Sequence, residues 1–238
     1  MRRILAVSGP DRVQFLQGLV TNKVGDVPVW AALLTPQGKY LADFLIVPMG
    51  ERLLIDVDER LADDLMRRLT MYKLRSAVTI EATDLTVSRG TGDMPDAAIA
   101  DPRHPALGWR LYGGTGDDGS DFDAIRVEHC IPESLVELIP NDTFILEAGF
   151  ERLHGVDFRK GCYVGQEVTA RMKHKTDLRK GLVTVGIAGE APTGTPILMA
   201  DGREAGTLFT QSGGHAIAYM RFDRMGEGLV AGDARILA

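Results

Sequence analysis

Apolar positions in the N-terminal third change their spacing from helical to alternating and back. Val13, Leu16 and Val20 share one helical face, with Phe15 and Leu19 beside it. Ser8-Gly9-Pro10-Asp11 reads as the start of that helix: Ser8 offers a cap oxygen, Pro10 suits a first turn and Asp11 favours the positive end. "VWAALL" and "YLADFLIV" then flank Thr35-Pro36-Gln37-Gly38, with Pro and Gly where a tight turn wants them, so a hairpin is predicted. "RLLIDV" predicts a further strand. Asp58 caps a helix carrying Leu61, Leu65, Leu69 and Tyr72 on one stripe, and "AVTIEA" returns to strand.

Residues 88–123 are rich in loop formers, interrupted by "DAAIAD" and "LGWRLYG", which read as strands. Gly114, Gly116 and Gly119 satisfy a G-x-G-x-x-G pattern. No amphipathic helix follows them, and the aspartates around them would repel a pyrophosphate, so a mobile surface loop is the better reading. In "DAIRVEHCIPESLVELIP", Pro132 is placed to begin a helix. After Lys180 the pattern alternates: "GLVTVGIA" puts Val183, Val185 and Ile187 on one face, and "TPILMA", "REAGTLFT", "HAIAYM" and "LVAGDARILA" follow at short intervals. That rhythm predicts a small antiparallel barrel. The fold class is therefore α+β: a mixed body over residues 1–180, divisible near residue 85 into 1–85 and 86–180, followed by a C-terminal β-barrel over 181–238.

Composition narrows the function classes. The 238 residues carry 45% apolar and 25% charged side chains and a formal net charge of −6, as a soluble globular protein does. The acidic balance argues against direct nucleic-acid binding. No apolar run is long enough to span a bilayer, and "MRRILAVSGPDR" lacks the long apolar region of a secretory signal, so a cytoplasmic protein without a membrane partner is expected. Cys130 and Cys162 are too few for a disulfide scaffold. The five histidines and two cysteines show no metal-ligand spacing, so no metal site is expected. Neither a phosphate-binding G-x-x-x-x-G-K-[ST] loop nor a G-x-S-x-G nucleophile elbow occurs.

The chemistry concentrates in "RKGCYVGQE", residues 159–167. Gly165 to Arg171 can form a short helix, which sets Cys162 just ahead of a helix N-terminus with Arg159 and Lys160 beside it. Both features favour thiolate, and the flanking glycines leave the sulfur approachable. A buried small apolar residue is the competing reading. "KGCYVGQE" resembles the signature of the YgfZ family of folate-binding proteins, relatives of the glycine-cleavage T protein. "FLQGLVTN" at 15–22, "LLTPQGKYLADFLIV" at 33–47 and "IRVEHCIP" at 125–132 match that family in order.

The resemblance implies an accessory protein for iron–sulfur cluster assembly or repair that binds tetrahydrofolate or a one-carbon derivative. It implies iron–sulfur client or assembly proteins as partners, and tRNA-modifying cluster enzymes as beneficiaries. It places Glu128 on the pterin, whose paired N–H donors suit one carboxylate. It places Asp43 near the folate amines, where a carboxylate held among apolar strand residues could move a proton. Asn22 and Tyr72 are further candidates for the cavity, and Asn22 also reads as a helix C-cap. Arg171, in the basic stretch Arg171 to Lys180, is the best placed cation for the glutamate tail of folate. Cys162 lies at the cavity mouth in this reading, and Cys130 stands where the family usually has glycine. A folate-dependent aminomethyl- or methyltransferase is the alternative. An RNA-binding module using the basic stretch is a third.

Overall fold

The computed structural model describes residues 1–175 and 177–237, without the Lys175 side chain. The chain forms two compact units, one of residues 1–120, 140–142 and 150–170, the other of residues 121–139, 143–149 and 171–238. Neither is a continuous stretch. The barrel strands share their unit with residues 121–139 and 143–149, which lie before position 180 in the chain.

The first unit is built on a five-stranded antiparallel sheet. Its strands are β1 (Arg2–Ser8), β2 (Val29–Leu34), β3 (Tyr40–Met49), β4 (Arg52–Asp58) and β5 (Thr79–Ala82), in the order β2-β3-β4-β1-β5. The predicted hairpin is β2–β3, closed by Gly38 N–H on Thr35 O at 2.9 Å. Strand β1 was not legible as one: "ILAV" is too short a run to separate from the start of a leader or a helix. Tertiary pairing settles it, because β4 and β5 both bond to β1 and bury Ile4 to Val7.

Helix α1 (Arg12–Gln17) is one short piece, and α2 (Glu59–Lys73) is capped by Asp58, which accepts from Arg60 N–H. Ser8 is not the cap of α1, because it is the last residue of β1; the chain turns into α1 at Asp11. Asp11 instead accepts from Ala77 N–H at 2.7 Å and ties the two helix-bearing segments together. On one face of the sheet, Ile4, Ala6, Leu45, Val47 and Leu54 form a core with Leu85, Val87, Ile99 and Tyr112. The last three belong to a second sheet of β6 (Val87–Gly90), β7 (Ile99–Ala100) and β8 (Trp109–Tyr112), in the order β6-β8-β7. Asp56 is buried on that face and accepts from Arg2, Arg110 and Tyr112. Asp101 takes Arg103 and Arg110. Burial pushes the Asp101 carboxyl up, but the two guanidiniums win and hold it far below its usual range.

The glycine-rich stretch at 113–119 is an exposed loop, as expected. Its aspartates turn back on the protein: Asp118 accepts from Thr91 N–H and Ser120, and Asp117 pairs with Arg89.

In the second unit, α3 (Phe122–His129) precedes the position expected for a helix. Asp121 caps it, and Cys130 ends it with a left-handed backbone at φ 50°. That is a conformation glycine adopts most easily. Pro132 starts no helix. Glu137 N–H and Leu138 N–H both return to Glu133 O, and the Glu137 carboxylate accepts Glu133 N–H, so the stretch closes as an irregular loop. Helix α4 (Gln166–Lys175) carries the chain from the first unit to the second. The predicted barrel is present and closed: β9 (Lys180–Ala188), β10 (Pro196–Leu198), β11 (Glu204–Ser212), β12 (His215–Arg221), β13 (Leu229–Ala231) and β14 (Ala234–Leu237) circle in the order β10-β11-β12-β9-β14-β13. Val185, Ile187, Ile197, Leu208 and Ile236 fill it. No helix among the described residues is long and apolar enough to cross a membrane.

Candidate functional site

The loop that carries Cys162 is held at three points, all within the first unit. At its start, Asp157 N–H donates to Thr21 O at 3.1 Å, and the Asp157 carboxylate accepts Arg159 N–H at 2.7 Å. In its middle, Lys160 turns inward and is buried. Its Nζ donates to Gln17 O at 2.6 Å and Val20 O at 2.5 Å, just past the end of α1. Burial pulls this ammonium down to about 8, while Asp157 and a charged Cys162 pull it back up. The same Nζ lies 4.8 Å from the centre of the Tyr163 ring.

At the loop's end, Gly165 has φ +82°, and a Cβ there would stand 2.6 Å from Thr35 O. Gly38 of the β2–β3 turn meets it in kind: a Cβ on Gly38 would stand 2.9 Å from Val168 Cβ. Two glycine-bearing turns far apart in sequence thus pack backbone on backbone. The sequence showed both glycines but not that each exists for the other.

Between these anchors, Cys162 is exposed. Its place just before α4 agrees with the spacing argument, and the buried-residue reading of Cys162 is ruled out. Lys160 does more than the neighbouring cation that the spacing predicts: its head is committed to two carbonyls. Tyr163 is buried next to it. Its hydroxyl makes no hydrogen bond of ordinary geometry among the described residues. Burial pushes that hydroxyl up to about 12, with Thr169 pulling weakly the other way.

Asp43 lies within the first unit, buried on β3. Trp30 Nε1 donates to its Oδ2 at 2.9 Å and Tyr40 OH to its Oδ1 at 2.8 Å. The Trp30 ring stacks on Phe150 at 3.9 Å. Asn22 is tied to the same tryptophan from the backbone side: its Nδ2 donates to Trp30 O and His154 O. It is therefore no helix cap, since α1 has ended at Gln17. Tyr72 lines a different feature, an open groove beside α1. Arg171 is exposed on α4, in the residues of the second unit.

Glu128 belongs to the second unit. It sits near the end of α3 with its side chain 74% exposed, its carboxylate 4.0 Å from His129 Nε2. The charged residue of "IRVE" that the unit is built around is Arg126. It is buried and pairs with Glu137 at 2.5 Å and Asp123 at 2.8 Å. Glu137 also accepts from Thr210 Oγ1 on β11, joining α3, the irregular loop and the barrel.

Fold and site together define a class: a chain with the fold of the glycine-cleavage T type, a C-terminal barrel and an exposed thiol at Cys162. The crystal structure of glycine cleavage system aminomethyltransferase T from Bartonella henselae shares the fold, with a TM-score of 0.74 over 100% of this chain and 83% of that one, at 13% identity. Residues 179–238 match the CAF17 C-terminal beta-barrel domain. The human mitochondrial iron–sulfur cluster assembly factor IBA57 is 30% identical over 267 residues, covering 92% of this chain and 75% of that protein. The IBA57 homolog of Mycosarcoma maydis is 32% identical over 230 residues, and the chain spans only 57% of its length. The chain belongs to the IBA57 family of iron–sulfur cluster assembly factors.

Proposed function

We propose that this chain serves iron–sulfur cluster assembly or repair as a folate-binding accessory protein of the YgfZ type, with Cys162 as its working group. Tetrahydrofolate is its small-molecule partner, and the clients that depend on it include tRNA-modifying cluster enzymes. The observation that carries the reading is an exposed thiol on a loop anchored by a buried lysine and two interlocked glycines. A loop held this tightly presents sulfur in one place, which favours a repeated encounter with a cluster or client over incidental exposure. Among the described residues no three His, Cys, Asp or Glu side chains converge as a metal-holding group. As an exposed thiol, Cys162 offers an incoming cluster one sulfur, the remaining ligands coming with the cluster or its carrier.

The folate clause rests on the resemblance and on donor chemistry. Glu128 is open to a pair of parallel donors, though its own unit leaves it on a solvent-facing helix surface. Asp43 is a buried carboxylate already oriented by Trp30 and Tyr40, the kind of fixed acceptor that suits a folate amine. When bound, a reduced folate would supply one-carbon chemistry, and Glu128 and Asp43 are separate candidates, each within its own unit, for orienting it.

Two measurements separate the clauses. Cells that depend on this chain should lose cluster-enzyme activity with Cys162→Ser, while tetrahydrofolate affinity by calorimetry stays as in wild type. Normal enzyme activity in that strain would make the thiol incidental. Glu128→Ala should weaken tetrahydrofolate by about 1.5–3 kcal/mol, the usual worth of charge-assisted hydrogen bonds; unchanged affinity would remove Glu128 from the site. The shared fold favours one rival, an aminomethyltransferase. Formation of methylene-tetrahydrofolate from an aminomethyl donor by the Cys162→Ser variant would establish it instead.

A further inference from the structure

An open groove of about 880 Å³ runs between α1 and the turn that follows α2. Gln14, Phe15, Gly18 and Leu19 line one wall, Tyr72 and Leu74 the other. Three observations mark this groove as more than a surface irregularity. First, large apolar side chains of its wall stand uncovered: Tyr72 is 40% exposed and Leu74 88%. Clustered apolar exposure beside a concavity is the signature of a contact surface.

Second, Leu74 holds φ at +45° just beyond the end of α2. Glycine is the ordinary choice at such a position, and a branched side chain there is strained. The chain thus keeps a strained leucine whose side chain contributes almost nothing to the core.

Third, the cations of this region divide into two sets. Arg3, Arg12, Arg60, Arg67 and Arg68 all pair with Asp or Glu of the same unit. Lys73 and Arg75, on either side of Leu74, enter no ion pair among the described residues. The one acid of the wall, Asp11, is engaged with Ala77 N–H.

We infer that this groove docks an acidic segment of a partner protein. An apolar anchor residue of that segment fills the space between Phe15, Leu19 and Tyr72, and its carboxylates meet Lys73 and Arg75. A concave site flanked by cations fits a projecting side chain between acids better than the flat face of a bilayer. The groove also stands next to the thiol's anchor. Gly18 and Leu19 of its wall lie between Gln17 and Val20, whose carbonyls hold Lys160. A docked partner therefore rests on the segment to which the Cys162 loop is pinned. The inference does not depend on what Cys162 does or on folate.

The test pans a random peptide library displayed on phage against the full chain, with counterselection on the Lys73→Glu/Arg75→Glu variant. Enriched peptides should carry Asp and Glu around a Leu, Phe, Met or Trp. A synthetic peptide of the leading sequence should bind wild type about tenfold or more tighter than the double variant. Leu74→Gly, which removes the side chain and relaxes the backbone, should weaken it as well while the thermal midpoint holds or rises. Cys162→Ser should bind it as wild type does. Absence of acidic enrichment, or affinity indifferent to both groove variants, would overturn the inference. So would vesicles of phosphatidylcholine and phosphatidylserine that sediment wild type but not the double variant, since the patch would then face a membrane.

Discussion

Lys160 carries charge in a place where charge is costly, and its surroundings show how the cost is met. A buried ammonium is tolerable only with acceptors, and Gln17 O and Val20 O are the two it has. Lys160→Met should lower stability near neutrality by about 1–3 kcal/mol, because two carbonyls lose their donor. The difference from wild type should also depend on pH. Below about 8 the folded and unfolded chains both hold the proton; between about 8 and the usual 10.5, only the unfolded chain holds it. Wild-type stability from this group therefore rises with pH in that window, by up to about 1.4 kcal/mol per unit. Tyr163 acts only above its ordinary 10, where its raised folded value works in the opposite direction. Chemical denaturation of both proteins at about pH 7.5 and 9.5 checks this: a gap that fails to widen would place the amine outside the loop's energetics. Cys162 itself was legible from spacing, since glycines and a following helix are local signals. Lys160's acceptors were not, because they come from a segment more than a hundred residues earlier.

Helical phase explains why "IRVE" reads differently in three dimensions. At 100° per residue, two positions apart on a helix point to nearly opposite sides. Arg126 faces in and Glu128 faces out. Strand phase would have put both on one face, and the sequence contains no strong signal between the two. Arg126 then has to be satisfied inside, and Glu137, Asp123 and the carbonyl of Ile131 do so. Removing one partner of such a pair leaves the other charged and buried. Arg126→Met should cost about 3–5 kcal/mol, and Arg126→Met with Glu137→Leu should recover much of it. Urea melts of the two single variants and the double would show that coupling; additive losses would mean the pair is energetically idle. The irregular loop after Pro132 follows from the same chemistry, since Glu137 bonds backward to Glu133 N–H and Arg126 instead of continuing a helix.

The whole molecule is two units whose chain segments interleave. Six strands close the barrel, yet β9 and β12 also bond to residues from before position 150. Leu182 N–H donates to Glu147 O at 2.8 Å, Tyr219 OH to the Glu147 carboxylate at 2.5 Å, and Thr184 Oγ1 to Val127 O at 2.6 Å. A fragment of residues 179–238, the span of the matched barrel family, lacks all three partners. Its β9 and β12 amides should exchange with solvent at least about tenfold faster than in the full chain. Equal protection would show the barrel to be self-sufficient.

Local pattern alone determined the hairpin, the α2 stripe, the helix after Gly165, the alternating barrel strands and the α+β class, because each depends on neighbours within a few positions. Tertiary structure alone decided that "ILAV" is a central strand, that Gly38 and Gly165 interlock, that Arg126 rather than Glu128 is the inward charge of its helix, and that Lys160 is an anchor. These outcomes depend on which distant backbone supplies an acceptor or a steric limit, and sequence spacing carries no record of that.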